Sequence, residues 1–478
     1  MATSFYDVVV IGDELAGAVA AAHLARRGFR VLVLCSAPVE RDHVGPWTVP
    51  HAPMALAGLE GPALKRLVNE LSLLQLLRRR VEPNHPLMQL LLPDHRLDVT
   101  GDELHRELLR ELPEEAAGWD QYAAGAAAIS RTLDTLLVED VTLPPDGFWD
   151  RRDLKRMAAQ LPAGEGEPQL GPRAKMLALL PALFTSDLMS PGRIPLARLT
   201  DQLAHGTFRL DGGREGLRAM LLERVRTWAG EVRFDVGARS LLLRRNRVTG
   251  VALGIRDEQV GCNQVIAAMP AAELVELLEG SPPRRLVEAA AIAAPLHRYL
   301  VHLVVPIEAL PDALGPLAYA ARDLDAPPED GNMLAIHVAQ DQHAVLSVEA
   351  LAADTRPEAL ARLRANVLEH LASLLPFLER HLLAVWSPHD GLPADGLANA
   401  VAQPPAPMDA IWHLPAPRAL GFCGLPHATG IKQAWFASRQ QLPGLGFEGE
   451  LIAGWGAARL AAARDKRRVL DKAELLSG

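Results

Sequence analysis

The sequence lacks the features that several large classes of protein require. Its 478 residues include only three cysteines, Cys35, Cys262 and Cys423, which lie far apart and form no C-x-x-C pair. This spacing argues against a zinc cluster or a disulfide framework and predicts a reducing, cytoplasmic location. Since no run of about 18 apolar residues occurs, we expect no transmembrane span. Residues 1–6 carry no basic and apolar leader, so we also expect no signal peptide.

The sequence also lacks an excess of positive charge, with 49 Lys and Arg residues against 58 Asp and Glu. The net charge is −9 and no basic block occurs, which argues against a nucleic-acid partner. Only the segment that starts at Arg464 is mildly basic, and it leaves open a peripheral contact with an anionic membrane surface. The sequence has neither the G-x-S-x-G motif of serine hydrolases nor the H-E-x-x-H motif of zinc proteases. We therefore predict no metal site and assign no catalytic residue.

What the sequence does contain is a strand–helix–strand pattern near its start. The apolar run Val8–Ile11 is typical of a strand buried on both faces of a parallel sheet. The alanine-rich stretch from Ala16 to Arg27 predicts a helix, and Gly28 is a typical helix terminator. A second apolar run, Val31–Leu34, predicts the next strand. Together these segments predict a βαβ unit.

The turn of this unit resembles the dinucleotide-binding fingerprint G-x-G-x-x-G. It consists of Gly12, Asp13, Glu14, Leu15, Ala16 and Gly17. In the fingerprint the first glycine makes the turn, the second lets a pyrophosphate approach, and the third lets helix and strand pack closely. Glu14 replaces the second glycine. A carboxylate about 5 Å from a phosphate charge would cost roughly 3 kcal/mol at an effective dielectric near 20. Asp13 is interpreted as a helix cap.

A second departure follows the second strand. Dinucleotide-binding units usually carry Asp or Glu there, which binds the ribose hydroxyls. This sequence has Cys35 and then Ser36. A thiol is a weak hydrogen-bond partner, so we expect the ribose contact to be altered.

The segment after Gly212 has its own pattern of elements. A helix that ends near Gly230 is followed by predicted strands at 231–234, 240–245 and 248–255, and then by a strand from Gln264 to Pro270. We predict a three-stranded antiparallel meander that returns to the parallel sheet. Between positions 283 and 415, strands are predicted at 300–306, 333–338 and 344–350, with a helix over 357–376.

This order of elements resembles the phytoene desaturase and amine oxidase group of FAD-dependent oxidoreductases. The C-terminal stretch Leu442–Ala457 is similar to the last flavin-contacting segment of that group. The resemblance implies an α/β fold, with a Rossmann-type FAD-binding domain that combines a parallel sheet and the meander, and with an inserted α+β substrate domain. The implied FAD-binding domain covers 1–60, 205–282 and 416–465. The substrate domain, helix-rich with a mixed sheet, covers 61–204 and 283–415, and 466–478 forms a tail.

The resemblance also implies the residues that would contact FAD. Besides residues 12–17, they are Cys35, Ser36, Gly45, Val236, Gly444, Gly446, Glu448, Gly449 and Glu450. A helix N-terminus at the flavin ring would stabilise negative charge on the reduced flavin. Two further departures from the family pattern are Gly45-Pro46-Trp47, in place of Gly-Gly-Arg, and Ala437-Ser438, in place of Gly-Asp or Gly-Glu.

Two functions remain open at this point. The first is a flavoenzyme in which FAD accepts a hydride from a hydrophobic substrate that the inserted domain holds. The alternative is a cofactor-free pseudoenzyme of the same fold, which acts as a scaffold for a protein or a lipid-like ligand.

Overall fold

The computed structural model of the protein describes residues 4–139, 142–162, 170–254, 258–414 and 419–464. The helices are α1 (Leu15–Arg26), α2 (Pro62–Glu70), α3 (Leu74–Arg78), α4 (Leu104–Glu111), α5 (Pro113–Val138), α6 (Phe148–Ala158), α7 (Pro172–Thr185), α8 (Arg193–His205), α9 (Gly213–Thr227), α10 (Ala271–Glu276), α11 (Arg284–Ala290), α12 (Pro357–Leu374) and α13 (Gly446–Arg464). The strands of the first half are β1 (Phe5–Ile11), β2 (Val31–Cys35), β3 (Arg41–Val44), β4 (Trp47–Pro50), β5 (Ala55–Ala57), β6 (Val81–Pro83), β7 (Met88–Leu92), β8 (His95–Val99), β9 (Thr207–Leu210) and β10 (Glu231–Phe234). Those of the second half are β11 (Ala238–Leu243), β12 (Val248–Leu253), β13 (Gln259–Ala267), β14 (Leu296–Val305), β15 (Leu317–Ala321), β16 (Met333–Gln340), β17 (Ala344–Ala352), β18 (Ala384–Trp386), β19 (Asp409–Ile411) and β20 (Ala434–Phe436).

The first large sheet has seven strands, and its parallel part runs in the order β10, β2, β1, β13. Val9 of β1 pairs with Leu32 on one side and with Val265 on the other. All three residues are fully buried, as the apolar runs of the sequence predict. β20 extends the parallel part beside the end of β13. The predicted Rossmann-type α/β architecture is confirmed.

The meander differs from the prediction in one strand. Glu231–Phe234, which we predicted as a member of the antiparallel meander, runs parallel to β2 and forms an edge of the parallel sheet. The antiparallel strands are β11, β12 and the first half of β13. The prediction failed because the short helix-to-strand connection at Gly230 fits both arrangements. A strand that follows a helix crossover joins a sheet in parallel.

The second large sheet has eight strands, with a continuous path β18, β14, β17, β16, β15, β7, β8 and with β19 beside β14. The strands predicted at 300–306, 333–338 and 344–350 fall in β14, β16 and β17, and the predicted helix over 357–376 is α12. α12 packs its apolar side against the sheet through residues such as Leu363 and Val367. Sequence reasoning missed the hairpin of β7 and β8, which the segment 61–204 adds to this sheet.

The two sheets draw on different parts of the chain. Strands of the seven-stranded sheet come from residues 5–35, 231–267 and 434–436, and those of the eight-stranded sheet from 88–99 and 296–411. Among the described residues, no helix combines the length and apolar character that crossing a membrane requires. The tail predicted for 466–478 lies outside the described residues.

Candidate functional site

The fingerprint turn lies where β1 ends and α1 begins, at the carboxyl edge of the parallel sheet. Gly12 has a φ of +115°, and a Cβ there would lie 2.2 Å from the carbonyl oxygen of Ala268. A Cβ on Gly17 would lie 2.2 Å from the Cβ of Ala268. Leu15 and Ala16 are fully buried in the first turn of α1. Both fingerprint glycines are therefore required by contacts with Ala268, which follows β13.

Glu14 caps α1 through its backbone carbonyl oxygen, which accepts the hydrogen bond of Gly17 N at 3.1 Å. Its side chain turns to the C-terminal part of the chain, where Arg439 N donates to Oε2 at 2.5 Å. Burial and the nearby carboxylate of Glu450 raise the pKa of Glu14 to about 8, although Arg439 and Arg214 act in the opposite direction. Glu14 is therefore mainly protonated at neutral pH, and it bridges two chain segments 425 residues apart.

Asp13 lies at the same sheet edge and is not the helix cap that the sequence predicted, because the N-cap residue of α1 is Glu14 and no side chain caps this helix. Its Oδ1 accepts hydrogen bonds from Ser36 N at 2.7 Å and from Arg218 Nη1 at 2.5 Å. Arg218 also donates to the carbonyl oxygen of Ser36 at 3.2 Å. Cys35 is buried at the end of β2, and burial raises the pKa of its thiol to about 11. Asp13 and Arg218 thus connect the fingerprint turn to the strand end where a ribose would bind.

The glycines of the C-terminal turn also face protein atoms. A Cβ on Gly444 would lie 2.6 Å from the Cβ of Phe422, and one on Gly449 would lie 2.2 Å from the carbonyl oxygen of Leu442. Gly446 has a φ of +51°, and a Cβ there would lie 2.0 Å from the carbonyl oxygen of Thr185. These three positions need glycine for packing within the chain.

Glu448, in the first turn of α13, is almost fully buried at 1% exposure. Arg198 of α8 contacts it in a bidentate manner, with Nε 2.9 Å from Oε2 and Nη2 2.7 Å from Oε1. Gln202, one turn later in α8, donates to Oε2 at 2.7 Å. All of these partners belong to the protein, so Glu448 joins α13 to α8.

Glu450 is buried as well, and Arg214 Nη2 donates to its Oε1 at 2.6 Å. Burial lowers the pKa of Arg214, but the carboxylates of Glu450 and Asp409 together outweigh that effect and the pKa is raised. Since Glu14 lies close to Glu450, the start of α13 and the fingerprint turn face each other across a charged interior.

Arg439 connects these buried charges to the second sheet. Its Nε lies 2.9 Å from Asp187 Oδ2, its Nη2 also contacts Asp187, and its Nη1 lies 2.5 Å from Asp409 Oδ1. Arg298 of β14 donates to Asp187 at 2.8 Å. Burial raises the pKa of Asp187, but the two guanidinium groups outweigh it, so that the pKa is held below its usual range. This network fixes both strand β14 and the segment after β20 to the loop that follows α7.

A small cavity adjoins this network, and a larger cavity lies beside the small one. The larger has a volume of about 590 Å³ and the smaller of about 120 Å³. Both are lined by Pro53, Met54, Ala55 and His337, so they lie side by side. The larger is also lined by Trp47, Phe208, Leu317, Val338 and Val345, with Arg41 and Arg209 among its exposed polar residues. The smaller is lined by Asp187, Arg214, Arg298, Asp409, Arg439, Glu448 and Glu450. The charged network therefore forms one wall of the smaller cavity.

One of the predicted contact residues, Gly45, lies apart from the others, in the turn between β3 and β4, where a Cβ would lie 2.9 Å from Leu397 Cδ1. Val236 follows Asp235, whose backbone N donates to the carbonyl oxygen of Cys35 at 3.0 Å, so Val236 lies at the same sheet edge as Cys35. Residues 12–17, Cys35 and Ser36 form one group, and Gly444 to Glu450 form a second group that Glu14 approaches.

Sequence reasoning missed the basic partners of these carboxylates, namely Arg198, Arg214, Arg218, Arg298 and Arg439. One signal was available, since Glu448 and Glu450 stand in a glycine-rich, otherwise apolar stretch. Carboxylates are rarely buried without a paired cation. Their presence there predicts buried arginines without identifying them. Among the described residues, no group of His, Cys, Asp and Glu is arranged to hold a metal ion.

As the sequence predicted, the two sheets and the meander give the chain the fold of solved oxidoreductases, amine oxidases among them. A triple variant of putrescine oxidase is similar over 97% of this chain and 100% of its own, with a TM-score of 0.61 and 16% identity. An oxidoreductase from Methanosarcina mazei covers 94% of this chain and 99% of its own, with a TM-score of 0.58 and 12% identity. Cyclohexylamine oxidase from Brevibacterium oxydans covers 96% and 99%, with a TM-score of 0.56 and 14% identity. No protein-family model and no curated protein matches the sequence.

The side chains at the nucleotide edge, as they stand, do not fit FAD. A pyrophosphate at the fingerprint turn would have to displace the Glu14 side chain from Arg439 N. A ribose at the end of β2 would have to separate Asp13 from Ser36 and Arg218. Asp13 and Glu14 thus already have hydrogen-bond partners within the protein.

Proposed function

We propose that this protein is a cofactor-independent binding protein built on the fold of FAD-dependent oxidoreductases. The observation that supports this proposal is the hydrogen bond from Arg439 N to Glu14, at the position of the fingerprint where a pyrophosphate would need a bare backbone. Because the raised pKa of about 8 leaves Glu14 mainly protonated at neutral pH, its position excludes the phosphates more than its charge does. This replaces the purely electrostatic argument made from the sequence.

The ribose side supports the same proposal. A carboxylate usually binds the ribose hydroxyls from the end of the second strand. Here the carboxylate of Asp13 comes from the fingerprint turn and binds Ser36 N instead. Arg218 completes the contact, and only 5% of its side chain is exposed. The Asp13 side chain is 47% exposed, so the interaction lies at the surface of this sheet edge, and a ribose that took Asp13 or Ser36 as a partner would have to break it.

The test is FAD binding by three forms of the protein. We expect the purified wild-type protein to be colourless, and not to quench FAD fluorescence when FAD is added in excess. Glu14→Gly combined with Cys35→Glu removes the obstructing side chain and supplies the missing ribose ligand, so this variant should gain measurable affinity for FAD. Glu14→Gln with Cys35→Glu is the matched control, because it keeps the size of the side chain and should gain nothing.

The outcomes show whether FAD is excluded at all, and whether the position or the charge of the Glu14 side chain excludes it. A yellow wild-type protein with bound flavin would refute the proposal. If the Gln control gains affinity as strongly as the Gly variant, charge rather than position excludes the nucleotide.

For the ligand, we propose a hydrophobic or lipid-like small molecule in the larger cavity. Its volume of about 590 Å³ is in the range of small-molecule sites. Trp47, Phe208 and Val338 provide apolar surface, while Arg41 and Arg209, which pair with Asp211 and Glu82, line the polar part of the cavity. Such a ligand needs neither the nucleotide edge nor a redox step.

A ligand test uses dodecanoate and dodecylamine, which have the same chain length and opposite charge. Either one should raise the thermal midpoint of the wild-type protein, and Met54→Trp, which fills the junction of the two cavities, should remove that rise. If neither compound shifts the midpoint, or if Met54→Trp does not change the shift, the proposed cavity is not the ligand site.

A second candidate is a FAD-dependent oxidoreductase. The similarity to solved oxidoreductases favours it, because the fold is shared over nearly the full length of both chains. It requires Glu14 and Asp13 to leave their present partners when FAD binds. The FAD titration described above decides between the two candidates.

A further inference from the structure

Helix α6 begins with two aromatic residues that stand out from the surface. Phe148 is 73% exposed and Trp149 is 67% exposed. Their rings contact each other in an edge-to-face manner, with centroids 5.5 Å apart. On the opposite side of the helix, Leu154 and Met157 are buried in the core, and this packing holds α6 in place. The aromatic pair is held out towards the solvent by a packed helix.

Basic side chains accompany this pair. Arg151, Arg152, Lys155 and Arg156 are all exposed on α6. The Arg152 guanidinium lies 5.5 Å from the centroid of the Trp149 ring. The acidic residues of the helix are engaged, since Asp150 accepts from Gly147 N at 3.1 Å and Asp153 lies 3.5 Å from Arg156. With four basic and two acidic side chains, α6 carries a net charge of +2 in a chain whose net charge is −9.

We propose that the N-terminal half of α6 is a docking surface for an anionic lipid membrane. Phe148 and Trp149 would enter the interfacial layer, and the surrounding Arg and Lys side chains would contact lipid phosphates. Aromatic rings beside basic residues on a surface helix are the combination that favours this position. Charge complementarity selects anionic over neutral lipid.

A protein partner fits this surface less well. A stable protein interface buries about 800 Å² on each partner and is depleted of charge at its centre. Here the apolar area is limited to two rings, and exposed guanidinium and ammonium groups border it closely. A bilayer interface accepts such a small apolar contact because phosphates solvate the neighbouring cations.

The test is co-sedimentation of the full-length protein with vesicles. Vesicles of phosphatidylcholine with about one third phosphatidylglycerol should bind the wild-type protein, and pure phosphatidylcholine should bind it much less. Phe148→Ala with Trp149→Ala should lower the partition coefficient by about tenfold. Raising the salt from about 0.1 M to about 0.5 M should weaken the remaining binding, because the longer-range attraction is screened.

The matched control is Phe377→Ala. Phe377 is 65% exposed and has the Arg380 guanidinium 5.0 Å from its ring centroid, but it lies on a different part of the surface. This variant should bind like the wild-type protein, and equal thermal midpoints would show that all forms are folded. Two results would overturn the proposal: wild-type protein that ignores the anionic vesicles, or a double variant that binds them equally well. A wild-type dimer that the double variant cannot form would assign the pair to a protein contact instead.

Discussion

Replacing Glu14 with Gln should make the protein more stable than the wild type at neutral pH. Under mildly acidic conditions this gain in stability should be smaller. In the folded state burial raises the pKa of Glu14 to about 8, whereas its ordinary value is 4.5. Between these two values the folded state retains a proton that the unfolded state has released. The stability contributed by this proton is fully present below the ordinary value and is lost as the pH rises towards 8. Gln has no such proton, and its carbonyl oxygen can still accept from Arg439 N.

The size of the effect follows from proton linkage. One retained proton changes the free energy of unfolding by about 1.4 kcal/mol per pH unit. Between about pH 5.5 and about pH 7.5 the upper limit is therefore just under 3 kcal/mol. Glu14 interacts strongly with Glu450, so its titration is shared. We expect a change of about half the upper limit.

The assay is thermal unfolding of both proteins at closely spaced pH values, followed by the fluorescence of the eight tryptophans. A cooperative unit of this size shifts its midpoint by about 1 °C per kcal/mol. The difference between variant and wild type should therefore grow by about 1 to 2 °C from acidic to neutral pH. Glu288→Gln serves as the control, since Glu288 is an exposed carboxylate that pairs with Arg284 on the surface of α11. A Glu14→Gln difference that is flat across this range would show that the Glu14 carboxyl group is not protonated in the folded protein.

Two further predictions concern packing and buried charge, and both are measured by soluble yield and thermal midpoint. Gly12→Ala should severely destabilise the protein, because the new Cβ would lie 2.2 Å from the Ala268 carbonyl oxygen, whereas Gly28→Ala, with a φ of +76° and open space around it, should cost only about 1 to 2 kcal/mol. Equal losses at the two positions would contradict the argument from close contact. Glu448→Ala removes the bidentate partner of Arg198, which keeps Asp134 at 2.7 Å, and should cost about 2 to 3 kcal/mol, while Arg198→Met with Glu448→Leu should recover part of this loss. A double variant less stable than Glu448→Ala would argue that the ion pair itself stabilises the fold.

The sequence was sufficient for the architecture because each element of the parallel sheet is specified locally. Val8–Ile11 and Val31–Leu34 are short apolar runs with a helix between them, and such runs have few other solutions in a soluble domain. The strand Glu231–Phe234 could not be assigned to the correct neighbour, because its pairing with β2 depends on a crossover and not on its own residues. The segment that forms β7 could not be identified as a strand, because its residues show no alternation of apolar and polar side chains.

The interior of the site could not be predicted in the same way. The partners Arg214 and Glu450 are 236 residues apart, and Arg198 and Glu448 are 250 residues apart. No spacing rule connects residues at such distances, and an arginine in a helix is usually exposed. The sequence could identify the carboxylates as unusual, but only the fold brings the guanidinium groups to them.

The two glycines that the fingerprint retains, Gly12 and Gly17, are needed for packing. The glycine that Glu14 replaces is needed for nucleotide binding instead. Gly12 and Gly17 each have an atom of Ala268 2.2 Å from the place of a Cβ, so that any chain with this strand and helix arrangement must retain them, with or without a nucleotide. The middle position is different, because its glycine serves only the approach of a pyrophosphate. In this protein that position holds Glu14, whose side chain binds a backbone amide of its own chain. Selection for the fold alone would preserve the first and third glycines and release the second, which is the pattern found here. In this protein the outer glycines are therefore explained by packing, and the middle position is the one that bears on nucleotide binding.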